Sequence, residues 1–544
     1  MGRKPGLLGP PRAMMDPSDA VLVNQARLGA FDFIVIALYL LIVAGVGIWA
    51  KLTAPSDGEN AYFLAGRSMN WIVVSLALFA TLFSSVSFVA VPSEIYQYGM
   101  ALFLVSIFLP FTAPLGVKLF LRFFFNQPTM TAYEYLERRF DLVTRLLGSS
   151  LFLIVRTLYA AVVFFAAAVL LETLTGWPGI WTVIGVGIFT TLYTAFGGMR
   201  AVLFTDALQA VVLVLGLCAI VWRILGETGA TPLELYVHAS EAGRGFEVLA
   251  TPEFWRLDLH DRFNGWLMLI ALVTVPMITL SSDQLVIQRL LTSKNYAQAR
   301  RATYVNYWLN IPLGIPSFLI GWGLLYFYDR FPEKVPAGMA PDNLMALFIG
   351  SELPSPLPGL LVAGLLAALM STVSSVLNSL ATVTYHDFLV RLGITTPGGP
   401  NELRHCQLLS VAAGVVSVVI GCALLGAGQA VTTTVMETAG LWSSLTSIIF
   451  AAFLLGVLVP RVSAFAMKVG LFGGGALTLL LPLFLYYPVP PAERISFAWL
   501  WIPGFLFAVV VPLLVCAHTP NRRSVHQMTV WSLPEDSSSK NIDI

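Results

Sequence analysis

Six polar side chains occur within thirteen residues of a strongly apolar part of the chain, Ala367–Ser379. At helical spacing most of them fall on two overlapping faces of one helix. Such hydroxyls can simply allow neighbouring helices to pack closely. A group of hydroxyls this dense can also hold a monovalent cation, together with backbone carbonyls that a break in another helix leaves without a partner. We favour this second interpretation. The polar members of the stretch are Ser371, Thr372, Ser374, Ser375, Asn378 and Ser379.

Ionisable residues stand inside other apolar segments. Asp206 lies just inside one predicted helix, and Arg156 lies about three turns into another. A charge within a membrane helix is costly, and by default it indicates a functional site with an opposite charge or a water-filled cavity. The fork of Arg156 suits a carboxylate, either of a substrate or of another protein side chain. Asp283 and Glu437 are two further candidates for structural partners, with Asp283 expected near the cytoplasmic end of its helix.

Composition defines the elements that must position these residues. The chain has 544 residues, of which 57% are hydrophobic and 11% charged, whereas soluble domains carry about 25% charged residues. Its apolar runs reach the roughly 20 residues that cross about 30 Å of hydrocarbon. The net charge of +1 gives no indication of nucleic-acid binding. We predict an all-α polytopic membrane protein with about thirteen spans, at 31–50, 71–91, 98–122, 145–171, 177–196, 201–225, 263–288, 305–327, 358–386, 406–427, 431–459, 465–487 and 497–517.

Charge in the loops predicts the orientation. Lys and Arg recur in alternate short loops, including the one that holds Arg289, Lys294 and Arg300, and such loops face the cytoplasm. This arrangement puts residues 1–30 outside as an extracellular tail. It leaves 31–517 as the transmembrane domain and 518–544 as a disordered cytoplasmic tail.

Two parts of the domain, about 71–225 and 263–459, can be read as five-helix units of opposite orientation. The leading helix of each unit carries residues that can interrupt it, and paired interrupted helices point to a midplane binding site in a secondary transporter. No ATP-binding motif is visible, so uphill transport would draw on an ion gradient. The interrupting residues are Ser84, Ser85 and Ser87 in the first unit and Pro276, Ser281 and Ser282 in the second.

Several segments, in this order and spacing, resemble the sodium/solute symporter family, which includes sodium–glucose, sialic acid, proline, iodide and monocarboxylate cotransporters. The resemblance extends from about Phe31 to about Val515 and implies a leucine-transporter-like core of five plus five inverted helices. The segments are A-Y-F-L-A-G-R-S-M-N-W at 61–71, Y-T-A-F-G-G-M-R-A-V-L-F-T-D-A-L-Q at 193–209, Q-R-L-L-T-S-K at 288–294 and the hydroxyl stretch itself.

The resemblance also implies ligands for sodium, the expected coupling ion. The common site of the family uses carbonyls of the first core helix and hydroxyls of the eighth, and some members hold a second ion on an aspartate and two hydroxyls. One sodium ion per cycle is therefore expected, and the residues are compatible with two. The first site would comprise Ala80, Phe83, Ala368, Ser371 and Thr372, and the second Asp206, Ser374 and Ser375.

The substrate is expected to be a small organic solute. The polar residues of sugar-transporting members correspond here to Ser87 and Ser106, which argues against a glucose-type site. Sialic-acid-type members present small hydroxyl residues and an arginine, matching Ser84, Ser87 and Arg156. The resemblance thus implies import of a carboxylate-bearing solute, either an acidic sugar or a monocarboxylate.

Other functions remain open at this stage. A neutral-sugar symporter for glucose, galactose or myo-inositol is the nearest alternative, and a leak channel, a transporter-fold sensor and a membrane enzyme are more distant ones. No histidine is placed at a midplane, which disfavours the enzyme. The expected partners are the solute, sodium and the lipid of the cell membrane, with no obligate protein partner implied.

Overall fold

The computed structural model describes residues 28–53, 58–125, 129–261, 263–336, 339, 341–397, 399, 401–427, 440, 444–490, 493–521 and 525–532. Glu437, the tail residues 1–27 and 533–544, and residues 431–439 and 441–443 of the predicted span 431–459 lie outside these ranges. Within the described ranges the chain is helical, with one isolated bridge between Met69 and Ser293. This confirms the predicted all-α class.

Fourteen helices of the described part correspond to the predicted spans. Several begin at a side chain that accepts a backbone N–H, as Asn70, Asp141, Asn264 and Asn295 do, and this satisfies donors that a helix start leaves free. The helices are α1 Ala30–Leu52, α2 Trp71–Leu82, α3 Ser85–Tyr98, α4 Ala101–Gly116, α5 Leu142–Thr175, α6 Gly179–Thr228, α7 Gly265–Ser281, α8 Gln284–Leu291, α9 Tyr296–Arg330, α10 Leu357–Val383, α11 Glu402–Ala427, α12 Thr446–Leu458, α13 Ala464–Leu485 and α14 Trp501–His518.

Shorter elements connect them. The short α-helices are Glu59–Leu64, Arg122–Phe125, Glu134–Arg139, Pro232–Glu241, Pro252–Trp255 and Pro341–Glu352. Wider π turns extend α4 over Val117–Leu121 and α10 over Thr384–Val390. The 3₁₀ turns are Ala65–Arg67, Phe246–Ala250, Pro332–Lys334, Phe497–Trp499 and Val530–Ser532.

The longest helix, α6, is divided by a glycine. At 50 residues it would be about 75 Å long if straight, far more than one crossing of about 30 Å needs. Gly198 adopts φ 59° and ψ −165° inside it, and a Cβ there would lie 2.9 Å from the carbonyl oxygen of Tyr62. The positive φ and this close approach both require glycine. The kink separates the predicted spans 177–196 and 201–225, so α6 represents both.

Two interrupted spans are present, as the sequence predicted. The pair α2 and α3 bends by 68°, and the pair α7 and α8 bends by 56°. In the first, Ser84 caps α3. In the second, Asp283 caps α8 and accepts the backbone N–H of Leu285 at 3.1 Å. Pro276 is continuous with α7 and does not break it, so the capping residues rather than the proline define this interruption.

The hydroxyl stretch lies on the most enclosed helix. Of the 18 most apolar consecutive residues in the span that contains α10, 94% are buried, whereas the corresponding share is 22% for α1 and α11. The polar side chains of α10 therefore face protein and not lipid. A buried hydroxyl that lacks water must find its partner within the protein, and the partners of these hydroxyls define the site described below.

Part of the C-terminal tail, predicted from sequence to be disordered from residue 518, packs against the helices. The indole of Trp531 donates to the carbonyl of Leu458 at 2.9 Å, and the hydroxyl of Tyr135 donates to the carbonyl of Met528 at 2.8 Å. The apolar residues Met528, Val530 and Trp531 stand within an otherwise polar tail. They give residues 525–532 enough contact to pack beside α12.

Two carboxyl groups lie close together at the start of α11. Glu402 is the first residue of α11, and Glu59 lies on the short helix Glu59–Leu64, outside the membrane-spanning helices. Oε2 of Glu59 lies 3.8 Å from Nε2 of His386. Burial and the negative charges of Glu402 and Glu134 raise the pKa of Glu59 from 4.5 to about 7.

We expect this pair to make thermal stability fall as pH rises. Because the folded protein raises the pKa of Glu59, the stability it contributes is complete below pH 4.5 and is lost as the pH passes about 7. Melting temperatures of the purified protein between pH 5 and 8 test this, with Glu59→Gln as the comparison. The glutamine variant should have a flatter profile, and an unchanged slope would contradict the assignment.

Candidate functional site

The first helix break meets the hydroxyl stretch of α10. The last helical bond of α2 runs from the Phe83 N–H to the Phe79 carbonyl, so the carbonyls of Ala80, Thr81 and Leu82 have no helical partner. The Ser371 hydroxyl donates to the Ala80 carbonyl at 2.9 Å and is also 3.2 Å from that of Ala368. The Thr372 hydroxyl donates to the Thr81 carbonyl at 3.4 Å. Hydroxyls and freed carbonyls are thus side by side, as a site for a dehydrated monovalent cation requires.

Phe83, the fifth residue expected at the first sodium site, terminates α2. Its backbone is non-helical, with φ −93° and ψ 85°. This conformation directs the chain away from the helix axis and leaves the Phe83 carbonyl outside the helical hydrogen-bond pattern. The Phe83 ring stacks on Phe79 with ring centres 5.7 Å apart. The structure therefore brings Ala80, Ala368, Ser371 and Thr372 together at the end of α2, next to Phe83.

Asp206 lies on α6 and is fully buried. Its Oδ1 accepts the Ser374 hydroxyl at 3.3 Å, and its Oδ2 accepts the Thr81 hydroxyl at 3.4 Å. Ser375 lies 3.1 Å from Thr81 through their hydroxyl oxygens. All three residues expected at a second sodium site are therefore grouped, and Thr81 links them to the first break.

The buried cation of this group is Arg289, which the sequence analysis placed in a cytoplasmic loop. Arg289 is instead completely buried on α8, with Nη2 2.8 Å from Oδ2 of Asp206 and Nη1 2.9 Å from the Leu285 carbonyl. It also donates to Ser375. The break between α7 and α8 returns the chain into the protein, so a residue beyond the predicted end of the span is still interior. The expectation that Asp206 would have a cationic partner is met by this arginine.

This ion pair affects what a second sodium ion would experience. Asp206 and Arg289 neutralise each other in a site closed to solvent. An additional Na⁺ would make the cluster positive, at a cost that the Ser374 and Ser375 oxygens and Oδ1 must offset. The first group, made of neutral oxygens, carries no such repulsion of its own.

Arg156 lies at the second break. Its Nη2 is 2.5 Å from Oδ2 of Asp283, and its guanidinium lies 5.4 Å from the ring centre of Tyr159. The helix that carries both residues, α5, also contacts the first break, where the Ser85 hydroxyl donates to the Val163 carbonyl at 2.9 Å. The pair of opposite charges thus joins the second break to a helix that also contacts the first. Asp283 is positioned by this break and not by the cytoplasmic end of a helix, where the sequence analysis expected it.

The remaining predicted substrate residues are only partly joined to this group. The backbone N–H of Ser87 donates to the Ser84 hydroxyl at 3.4 Å. Ser106 is half-buried on α4, and no hydrogen bond found among the described residues connects it to Ser84, Ser87 or Arg156. The role of Ser106 in substrate binding stays a prediction.

The C-terminal end of the hydroxyl stretch connects α10 to α8. Gln288 on α8 donates to Asn378 and to Thr382, each at 2.7 Å, and to the Phe63 carbonyl at 2.9 Å. These bonds fasten α8 to α10 across the interior. Asn378 therefore serves helix packing, while the residues one to two turns earlier face the break. Sequence analysis did not identify Gln288, although it stands beside Arg289 in an otherwise apolar segment.

Paired broken helices with carbonyls, hydroxyls and a buried ion pair between them define an ion-coupled membrane transporter. The chain belongs to the sodium:solute symporter family, whose family model matches residues 62–474. It is similar to sodium-coupled monocarboxylate transporter 1 of Xenopus laevis, at 28% identity over 84% of this chain and 73% of that protein. It is also similar to the human sodium/iodide cotransporter, at 29% identity over 87% of this chain and 72% of that protein.

The fold agrees with that of a solved structure. A Na⁺-coupled sialic acid symporter in a substrate-bound outward-open state superimposes with a TM-score of 0.80, covering 90% of this chain and 98% of the other at 23% identity. The leucine-transporter-like core predicted from sequence is thereby confirmed. The chain is an integral membrane protein and a sodium-coupled solute symporter, and its relatives are transporters rather than enzymes.

Proposed function

We propose that this symporter imports a carboxylate-bearing organic solute, an acidic sugar or a monocarboxylate, by alternating access. The observation that carries the proposal is the position of Arg156 at the second break, on a helix that also contacts the first break through the Val163 carbonyl and the Ser85 hydroxyl. Its Nε is buried without a hydrogen-bond partner. A buried donor left unpaired is costly, and a substrate carboxylate would satisfy it with the geometry that guanidinium prefers.

Sodium would act first, at the Ala80, Phe83, Ala368, Ser371 and Thr372 oxygens. An ion there would hold α2 and α10 together, because its ligands come from both helices. The substrate would then bind beside it, with Ser84, Ser87 and Ser106 around Arg156. Inward opening would separate α2 from α10 and release both. We propose Asp206, Ser374 and Ser375 as a second, weaker sodium site. We also propose that the N-terminus lies outside the cell and the C-terminus in the cytoplasm.

A neutral-sugar substrate is the second candidate, and the Arg156–Asp283 pair is the observation that favours it. The two side chains are 13% and 8% exposed and cancel each other's charge. A site with no net charge is suited to a hydroxyl-rich neutral solute, which could accept from the guanidinium and donate to the carboxylate. The two candidates differ in whether uptake requires a negative charge on the solute.

Uptake into proteoliposomes under an inward sodium gradient separates them. The panel is sialic acid, pyruvate, lactate, glucose, galactose and proline, with a potassium gradient as control. Saturable, sodium-dependent uptake confined to the carboxylates supports the first candidate. Uptake of glucose or galactose alone would reject it in favour of the second.

Replacing Arg156 with lysine should weaken carboxylate transport selectively. Lysine keeps a positive charge opposite Asp283, so the fold should be retained, but it lacks the planar fork that binds a carboxylate through two bonds. We expect the KM for the transported carboxylate to rise about tenfold, equivalent to about 1.4 kcal/mol. The sodium concentration for half-maximal uptake should change less. A KM equal to that of the unmodified protein would remove Arg156 from the substrate site.

A further inference from the structure

The Arg156–Asp283 pair has a consequence for coupling that rests on the proposed function. An anionic solute bound to Arg156 would add one negative charge to a group whose net charge is already zero. The tyrosines beside the pair carry no positive charge and cannot compensate for it. They are Tyr159, whose ring lies against the Arg156 guanidinium, and Tyr133, whose hydroxyl donates to the Ser282 carbonyl at 2.9 Å. An uncompensated charge in an enclosed site is strongly unfavourable.

Asp283 is anchored at the start of its own helix. Its Oδ1 accepts the Leu285 N–H at the start of α8, while Oδ2 faces Arg156. The N-terminus of a helix carries partial positive charge and stabilises a carboxylate. Both carboxylate oxygens thus have partners within the protein.

A cation must therefore arrive with the anion, and the site at the first break lies close enough to supply one. Ser85, two residues after Phe83, donates to the Val163 carbonyl of α5 at 2.9 Å, and Arg156 lies on the same helix about two turns earlier. The expected sodium ligands and the ion pair are therefore on elements in direct contact. Coulomb attraction between charges in a poorly hydrated site is substantial.

We propose that Asp283 makes binding of the anionic substrate conditional on sodium. With Asp283 charged, Arg156 alone is too well neutralised to retain an anion, and bound Na⁺ restores the missing positive charge. Asp283 is thus a specificity-determining residue for coupling: it does not bind the substrate, but it suppresses substrate binding when sodium is absent. Without its charge, Arg156 would bind carboxylates with or without sodium.

The test compares substrate affinity with and without sodium in the purified full-length protein. The probes are radiolabelled pyruvate and sialic acid, each measured in sodium and in potassium. For the unmodified protein we expect affinity for the accepted probe to be at least about tenfold higher in sodium, within the usual range of coupling between two ligands. In Asp283→Asn, which keeps an N-cap, that ratio should fall below about threefold, chiefly because affinity in potassium rises.

Two further variants protect the interpretation. Asp283→Ser also caps a helix without charge and should behave like the asparagine variant, in case the latter folds poorly. Asp283→Glu retains the charge and should keep the sodium ratio. An undiminished ratio in folded Asp283→Asn or Asp283→Ser overturns the inference and leaves the proposed function intact. If the unmodified protein binds neither carboxylate in either salt, both are rejected. A preference for proline that Asp283→Asn abolishes would instead make Asp283 a ligand for a substrate ammonium group.

Discussion

Replacing Arg289 with methionine is expected to destabilise the protein severely. The change removes the cation that Asp206 faces at 2.8 Å, and both side chains are fully buried. Breaking a buried ion pair by deleting one partner costs about 3–5 kcal/mol, because the remaining charge is left uncompensated. Thermal unfolding of the purified protein, together with the folded fraction on size exclusion, measures the loss.

A second change should reverse it. In Asp206→Asn combined with Arg289→Met no charge remains buried, and the new side-chain amide would still accept the Ser374 hydroxyl through its oxygen. The double variant should recover most of the lost stability, while its second sodium site should be gone. Arg300→Met is the matched control, since Arg300 is exposed on the next helix, and it should melt like the unmodified protein. A stable Arg289→Met variant would contradict the view that Arg289 neutralises Asp206.

The sequence predicted those parts of the site that depend on local pattern. Hydroxyl spacing identified α10, and small polar residues or a proline within apolar runs indicated both interrupted helices. These features need only neighbours in the chain, so residue order is enough to read them. Even here Pro276 was given a breaking role that Asp283 has, since a proline can be accommodated within a helix whose neighbours satisfy the freed carbonyl.

The ion pairs could not be predicted in the same way. Asp206 and Arg289 are 83 residues apart, and Arg156 and Asp283 are 127 apart. Which charges meet depends on how α5, α6 and α8 pack, and no local pattern encodes it. The sequence did predict a cationic partner for Asp206, and an anion or a water-filled cavity for Arg156. Arg289 was overlooked because it was counted among the Lys and Arg residues of a water-facing cytoplasmic loop. It is nevertheless flanked by Gln288 and Leu290 in a largely apolar segment.

Removing either hydroxyl at the first break should lower the affinity for sodium without altering which solute is carried. Ser371→Ala deletes the oxygen that lies 2.9 Å from the Ala80 carbonyl, and Thr372→Val deletes the one that faces the Thr81 carbonyl while keeping side-chain volume. An interaction with a charged partner contributes about 1.5–3 kcal/mol. The sodium concentration for half-maximal uptake should therefore rise by about 10- to 100-fold.

Ser379→Ala provides the matched control for these variants. Ser379 is buried on the same helix about two turns further on, and its hydroxyl has no hydrogen-bond partner among the described residues. Ser379→Ala removes a hydroxyl oxygen from the same helix without altering the contacts at the helix break, so the sodium dependence of uptake should not change. If Ser379→Ala weakens sodium activation as much as Ser371→Ala does, the hydroxyls of α10 act through packing alone. A loss confined to Ser371 and Thr372 places the coupling ion between α2 and α10, where its binding can hold the two helices together before the solute enters.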